Sequence, residues 1–110
     1  MRKSSSRLDR KKLEAMAGEA TVDCYNESEQ AVGWFTMIEE HLRLPFETRL
    51  LGIPVTVQSV DINRNDEIVA VCRRGKHRQA IPILDLPIPS PVPAGVEWIE
   101  AYRWWISGNL

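Results

Sequence analysis

The sequence predicts an α+β protein. We expect a small SH3-like antiparallel β-barrel or a bent sheet of four to five strands, flanked by an N-terminal amphipathic helix and a C-terminal helix. Two stretches repeat their apolar residues with a helical period, and four short runs rich in Val and Ile lie between them. The 110 residues are enough for one core. We divide them into a basic tail with a short helical pattern, residues 1–18, and one α+β domain, residues 19–110.

The chain begins with a basic stretch, since six of residues 1–12 are Lys or Arg. The Ser-rich residues 1–7 predict a mobile tail. Residues 8–16 follow a short helical pattern, and Gly18 is its predicted stop.

A longer amphipathic helix is predicted over residues 27–42. Asn26 is a suitable N-cap, and Glu29 stands where a capping box places a carboxylate that reaches back. Pro45 prevents the helix from continuing. The apolar residues recur at the spacing of one helical face: Ala31, Trp34, Phe35, Ile38 and Leu42.

After this helix the pattern becomes that of short strands joined by tight turns. The predicted strands are FETRLL (46–51), VTVQSVDI (55–62), EIVAVCRR (67–74) and RQAIPIL (78–84). Residues 85–95 contain four of the seven prolines and predict an extended connection. A closing helix follows, with Gly108 at its C-terminal cap and an apolar stripe made by Trp98, Ile99, Tyr102, Trp105 and Ile106.

Composition excludes several classes of function. No run approaches the roughly 20 apolar residues that span a bilayer, and the basic N-terminus has no apolar signal core. We therefore expect a cytoplasmic protein without a membrane partner. Cys24 and Cys72 form no metal-binding pattern and are expected to be free thiols.

The distribution of acidic residues is the unusual feature of the chain, since residues 19–67 hold ten Asp or Glu against three Arg.

The first candidate site is the acidic start of the long helix. Asp23, Glu27 and Glu29 stand within seven positions, and Glu39 and Glu40 follow on the same helix. Carboxylates in a first helical turn favour the helix dipole and cap its N–H groups, which accounts for the two glutamates without a ligand. The alternative is a hard cation, since Ca²⁺ takes six to eight oxygen ligands.

The second candidate is the turn DINRNDE, which places Asp61, Asn63, Asp66 and Glu67 at one hairpin tip. Its opening has the D-x-N-x-N spacing of an EF-hand loop. The match ends there, because Asp66 replaces the invariant Gly and no helices are predicted on either side. As a hairpin turn, the same residues serve because Asn and Asp tolerate positive φ.

The third candidate is a basic hairpin made by Arg73, Arg74, Lys76 and Arg78. Small barrels bind nucleic acid through such hairpins, but no aromatic residue is interleaved for base stacking. The other interpretation is a solvated hairpin whose charges protect a sheet edge. Catalysis has no comparable candidate, since neither histidine lies in a nucleophile motif. The remaining alternative is a scaffold or interaction protein that binds no ligand.

Four segments are similar to the cyanobacterial-type calcium-binding protein family. The segment VDCYNESEQAVGWFTMIEEHLRLPFE resembles the acidic and apolar start of that family. PVTV, EIVAVCRRGKHRQAIPILDL and EWIEAYRWW resemble its strands and closing helix, so the similarity spans about residues 20–106.

The resemblance implies a non-enzymatic Ca²⁺ buffer or sensor with a small α+β fold that is not an EF-hand. Asp23, Glu27 and Glu29 match the family's acidic start, and Glu39 with Glu40 matches its helical pair. The hairpin departs from the family pattern, because some relatives have a longer and denser acidic loop there. The hypothesis is that the acidic helix start and the hairpin tip, with Asp61, Asn63, Asp66 and Glu67, together form one or two oxygen-only Ca²⁺ sites.

Overall fold

The structure is a computed structural model that describes residues 8–108. The predicted mobile tail, residues 1–7, lies outside the described residues. Within them the chain forms three α-helices, four strands and a single 3-10 turn, which confirms the α+β class. In chain order these are α1 (Arg10–Ala20), α2 (Glu27–His41), β1 (Phe46–Leu50), β2 (Ile53–Ile62), β3 (Ile68–Arg74), β4 (His77–Pro82), the 3-10 turn (Ile83–Asp85) and α3 (Val96–Ile106).

The strands form one antiparallel sheet with the order β1-β2-β3-β4. This is the meander that the tight turns predict, and each strand pairs with its neighbour in sequence. The sheet is open, because β1 and β4 are its two edges and do not pair with each other. SH3-like closure is therefore not confirmed, although β2 carries a bulge between Val57 and Ser59 that bends a strand locally.

The core lies where the three helices pack together and α2 packs against β2. Trp34 and Ile38 on α2 are fully buried, at the helical spacing that the sequence predicts. The ring of Trp34 lies 6.3 Å from that of Trp98, 5.6 Å from Tyr102 and 5.7 Å from Trp105. These contacts confirm that most of the apolar stripe of α3 faces the core, and they join α2 to α3 through aromatic rings. Ile106, the last residue of the predicted stripe, is instead 52% exposed.

Helix α1 is longer than predicted, and the prediction that Gly18 ends it is wrong. The helix continues to Ala20, where the N–H and hydroxyl of Thr21 both donate to the carbonyl of Ala17. Its buried face is made by Leu13, Met16, Ala17 and Ala20, which have helical spacing. Because Ala17 and Ala20 are only weakly apolar, the sequence pattern did not predict the last turn of the helix.

Two other expectations concern the cysteines and the membrane. Cys24 and Cys72 are free thiols, as predicted. Burial raises the pKa of the Cys72 thiol above its ordinary value of 9.0. Among the described residues, none of the helices has the length and apolar character needed to cross a bilayer. The boundary between residues 1–18 and 19–110 stays a prediction, and α1 contributes side chains to the same core as α2 and α3.

Candidate functional site

The start of α2 is capped as the sequence predicts. The side chain of Asn26 accepts a hydrogen bond of 2.8 Å from the N–H of Glu29. The carboxylate of Glu29 reaches back and accepts one of 2.6 Å from the N–H of Tyr25. The first bond satisfies an N–H of the opening helical turn, and the second satisfies the N–H of the residue before the N-cap, one position earlier than in a regular capping box. Glu29 therefore has a structural role at this position whether or not an ion is bound.

Asp23 and Glu27 lie on either side of this cap and are both exposed. Asp23 is in the turn between α1 and α2 and has a φ of 59°, in the left-handed region. Asn, Asp and Gly are the residues that adopt this region most readily. The turn geometry is therefore a reason for an aspartate at position 23 that does not require a ligand.

The end of β2 and the turn that joins it to β3, residues 61–67, are called the acid tip below. Asn63 organises it, because its side-chain oxygen accepts from the N–H of Asn65 at 2.8 Å and of Glu67 at 3.0 Å. Its amide nitrogen donates to the carboxylate of Glu67 at 3.0 Å. Asp61 accepts from the N–H of its own neighbour, Ile62, at 2.8 Å. The acid tip is therefore held in one shape by its own side chains.

Asp66 has the most distinctive position in the acid tip. Its φ is 61°, and its N–H donates to the carbonyl of Asn63 at 3.0 Å. This is the arrangement of a type I turn followed by a left-handed residue, one of the common short hairpin connections. Its carboxylate accepts a hydrogen bond of 3.3 Å from the hydroxyl of Ser28, in the first turn of α2. The two acidic segments, 38 residues apart at this contact, therefore meet in the fold.

Glu67 connects the acid tip to the aromatic part of the core. Burial raises the pKa of the Tyr102 hydroxyl above its ordinary value of 10.0, and the negative charge of Glu67 raises it further. Tyr102 is only 7% exposed and contacts Trp34. A change of charge at the acid tip is therefore felt by a buried side chain of α3.

Glu39 and Glu40 do not join the other candidate residues at the start of α2. Both are exposed on the last part of the helix. The ten positions from Glu29 to Glu39 correspond to about 15 Å of helix. One ion cannot bridge that distance, so these two glutamates and the helix start cannot belong to the same site.

The acidic segments supply the right donors for Ca²⁺ but do not form a ready-made cage. In the part of the chain that the structure describes, no group of three or more His, Cys, Asp or Glu side chains is arranged to hold a metal ion. The donors that do meet are a carboxylate and a hydroxyl, both hard oxygens. Backbone carbonyls, water and side-chain rotation must complete any coordination shell at this place.

The end of β3, the start of β4 and the turn that joins them are called the basic tip below, and they carry the basic candidates Arg73, Arg74, Lys76 and Arg78. All four are exposed, and Arg73 donates to the carbonyl of Gly75 in its own turn at 2.8 Å. A shallow cavity of about 290 Å³ lies beside it, with Leu50, Val55 and Cys72 among its lining residues. The residues that line this cavity include no Phe, Trp or Tyr on which a base could stack.

The sequence did not predict a role for Ser28, whose hydroxyl joins the helix start to the acid tip. It is a small polar residue in a helix start full of carboxylates, and nothing in its own sequence surroundings distinguishes it. Its partner gave a usable signal, because an aspartate before a strand in a short hairpin indicates a left-handed turn position. The pairing itself depends on the tertiary fold.

Comparison with known proteins bears on both the fold and the function. The structure is similar to the crystal structure of Anabaena CcbP, with a TM-score of 0.68 and 17% sequence identity, over 93% of this chain and 95% of that chain. At this identity the similarity concerns the fold. No curated protein sequence matches the chain significantly.

A family model gives the stronger result. The model of the CcbP family, described as calcium binding, matches residues 14–106, which is most of the chain. The ion of this family is Ca²⁺, in agreement with the oxygen-rich acidic segments, and the family is not one of enzymes. This protein therefore belongs to the CcbP-type calcium-binding family.

Proposed function

We propose that this protein binds Ca²⁺ without catalysis, at the junction of the start of α2 and the acid tip. The observation that supports this most directly is the 3.3 Å hydrogen bond from the hydroxyl of Ser28 to the carboxylate of Asp66. It brings together two acidic segments that are distant in sequence. Among the described residues, we find no other side-chain hydrogen bond between the helix start and the acid tip.

The proposed ligands come from both sides of this junction. Asp66 is central, with Asp61 and Glu67 from the acid tip and Asp23 and Glu27 from the helix start. Their carboxylates are exposed and suit a hard cation, which prefers oxygen ligands in a flexible arrangement.

Asn63 and Glu29 have a different role in this proposal. The side-chain oxygen of Asn63 already accepts two backbone hydrogen bonds, which occupy both of its lone pairs. One oxygen of Glu29 accepts the N–H of Tyr25. We therefore assign Asn63 and Glu29 to shaping the site, by holding the acid tip and the helix start in position.

Electrostatics explains why such a site is open until the ion arrives. Two carboxylates about 4 Å apart repel each other by about 1 kcal/mol in water, so side chains on an exposed surface turn away from one another. A divalent cation reverses the sign of this interaction. Since the carboxylates are exposed, they give up hydration when they bind, and we expect a site of modest affinity.

The electrostatic effect of the acid tip on α3 favours a sensor over a simple buffer. The charge of Glu67 acts on Tyr102, and the ring of Tyr102 lies 5.6 Å from that of the buried Trp34. A bound cation would change the electric field at this aromatic cluster. A buffer needs no such connection, whereas a sensor must transmit binding to another part of the molecule.

Glu39 and Glu40 would serve a second, independent ion in this scheme. They lie about 15 Å along the helix from Glu29, so their neutralisation must leave the junction site intact. This separation lets calorimetry distinguish one site from two.

The test is isothermal titration calorimetry of chelator-stripped protein with Ca²⁺. Asp66→Asn keeps an Asx side chain at the left-handed position and removes the charge, so the fold persists while affinity falls at least tenfold, or about 1.4 kcal/mol. Asp23→Asn weakens binding less, because in the described residues the hydrogen bond of Ser28 goes to Asp66 and not to Asp23. Binding also raises the melting temperature of the wild type through mass action.

Two control variants separate local from general effects of charge. Glu14→Gln removes one negative charge from α1, outside both acidic segments, and leaves the affinity unchanged. The double variant Glu39→Gln, Glu40→Gln removes a second binding step or has no effect, and either result leaves the junction site unchanged. If Asp66→Asn binds Ca²⁺ as tightly as the wild type, the ion does not lie at this junction.

A further inference from the structure

Strand β1 is an edge strand, and its turn shows which of its backbone groups point outward. The two residues that join it to β2, Leu51 and Gly52, have φ values of 51° and 79°. Positive φ at both positions defines a type I′ turn, so the flanking pair Leu50 and Ile53 exchanges both of its backbone hydrogen bonds. Bonded and non-bonded pairs then alternate along the two strands.

A proline on the neighbouring strand gives the same result independently. Arg49 stands opposite Pro54, which has no N–H and cannot form a doubly bonded pair. The alternation therefore makes Glu47 and Arg49 the non-bonded positions. Their N–H and C=O groups point away from β2, toward the open edge of the sheet.

The chain that runs beside this edge does not satisfy these groups. Residues 87–93 pass nearby, but four of the seven are prolines without N–H groups. In the described residues, no backbone hydrogen bond is found between β1 and this segment. The hydroxyl of Thr48 instead donates to the carbonyl of Pro87 at 2.7 Å, on the sheet face that also bears Phe46.

A groove of about 530 Å³ lies between β1 and this segment. Its lining includes Glu47, Thr48 and Arg49 on one side and residues 87–90 on the other. An extended chain laid in it would meet the outward backbone groups of β1, as in strand addition at a sheet edge.

We propose that β1 of a second copy of this chain occupies this edge, antiparallel to the first and centred on Thr48. The charges of Glu47 and Arg49 favour a second copy as the partner. In this register Glu47 of each copy stands opposite Arg49 of the other, so one strand supplies both halves of two oppositely charged pairs. The same pairs are the ones whose backbone groups point outward, so they form four main-chain hydrogen bonds. The result is a two-fold dimer with one continuous eight-stranded sheet.

The opposite edge of the sheet does not offer the same possibility. The turn of Gly75 and Lys76 sets the alternation on β4, where Arg78, Ala80 and Pro82 are the outward positions. Pro82 has no N–H, and Arg78 lies beside another cation, Arg73. Such features protect an edge from pairing. The proposal is therefore specific to β1.

Sedimentation velocity of the full chain, from micromolar to millimolar concentration, tests the dimer. The wild type shifts from one chain mass to two as the concentration rises. Glu47→Arg and Arg49→Glu each raise the dissociation constant at least tenfold, because like charges then face each other. The double swap Glu47→Arg, Arg49→Glu restores it, since the pairs are again opposite in charge.

Two further variants separate backbone pairing from a general effect of charge. Glu47→Pro removes an outward N–H without touching a bond to β2, so it abolishes the dimer while far-UV circular dichroism stays that of the wild type. Arg78→Glu, on the opposite edge, leaves the dissociation constant unchanged. If Glu47→Pro unfolds the chain, the charge swaps decide. A wild type that stays monomeric at all concentrations, or single swaps that dimerise as well as the wild type, would overturn the proposal.

Discussion

The acid tip and the basic tip lie at opposite ends of β3, about 23 Å apart for a seven-residue strand. Both are exposed hairpin turns with several charges, and by composition alone they look equally suited to bind something. Their connections to the rest of the molecule differ. The acid tip has a side-chain contact to α2 through Ser28 and an electrostatic one to α3 through Tyr102. In the described part of the chain, the side chain of Arg73 in the basic tip donates only locally, to the carbonyl of Gly75.

This difference teaches how to choose between two charged surfaces. Charges that only face water reduce aggregation and protect an edge strand. Charges that also contact other elements change the stability of those contacts when a ligand neutralises them. The acid tip meets the second condition and carries the charge that attracts a cation. The chain also belongs to a calcium-binding family.

The largest effect is expected where α1 and α2 approach each other behind the acidic helix start. A side chain at Gly33 would overlap the carbonyl oxygen of Ala20 and would lie 3.3 Å from the sulfur of Cys24. We expect Gly33→Ala to destabilise the fold by about 3 kcal/mol, since the backbone of α1 must move away. Calcium affinity falls with it, because the turn that holds Asp23 is displaced. Urea unfolding followed by tryptophan fluorescence measures the first effect, and calorimetry the second.

Gly18→Ala is the matched control for this substitution. Gly18 is also helical, but a Cβ there meets nothing within 4 Å. Since alanine favours the helix, this variant gains about 0.5–1 kcal/mol. Equal stability of the two variants would mean that α1 and α2 are not in close contact at Gly33.

A smaller effect separates the two tips directly. Asn63→Ala removes three side-chain hydrogen bonds that hold the acid tip, and we expect a loss of about 1–2 kcal/mol together with weaker calcium binding. Lys76→Ala changes the basic tip, where the side chain is exposed, and stays within about 0.5 kcal/mol of the wild type. Urea unfolding of both variants makes the comparison. A basic tip as sensitive as the acid tip would show that the two are equally anchored.

The elements of this fold were predictable where local chemistry determines them. The cap of Asn26 and the spacing from Trp34 to Ile38 place α2 to within one residue of its observed end. The strands were found from Val and Ile runs and from tight turns. Closure of the sheet was not predictable, because it depends on whether β1 reaches β4, and no residue in either strand specifies that pairing.

The candidate site was likewise predictable only in its local features. The acidic segments were identified from sequence, and the glutamate that completes the cap was given its role correctly. Which segments meet was beyond local reasoning, since the contact of Ser28 with Asp66 is a tertiary one. Asp23 shows that an acidic residue without a role in the helix does not by itself indicate a ligand. No helix feature explained it, yet its φ of 59° gives a backbone reason that composition does not reveal.

The smallest expected effect is on the titration of Tyr102, and it tests whether the acid tip acts on α3. Glu67→Gln removes the charge but keeps an oxygen that can accept from Asn63. The pKa of Tyr102 then falls, while remaining above 10.0 because burial is the larger cause. Tyrosinate absorbance measures it in a Tyr25→Phe background, where Tyr102 is the remaining tyrosine.

The sign of the accompanying change in stability follows from linkage. A raised pKa means that the unfolded chain loses the Tyr102 proton first, so the fold loses stability as pH rises above about 10. Glu67→Gln lessens this alkaline loss, and Ca²⁺ bound at the acid tip lowers the pKa of Tyr102 in the same direction. Arg78→Gln, in the basic tip, leaves it unchanged. If saturating Ca²⁺ leaves the pKa of Tyr102 unchanged, the ion binds away from Glu67. Binding is then not transmitted from the acid tip to α3.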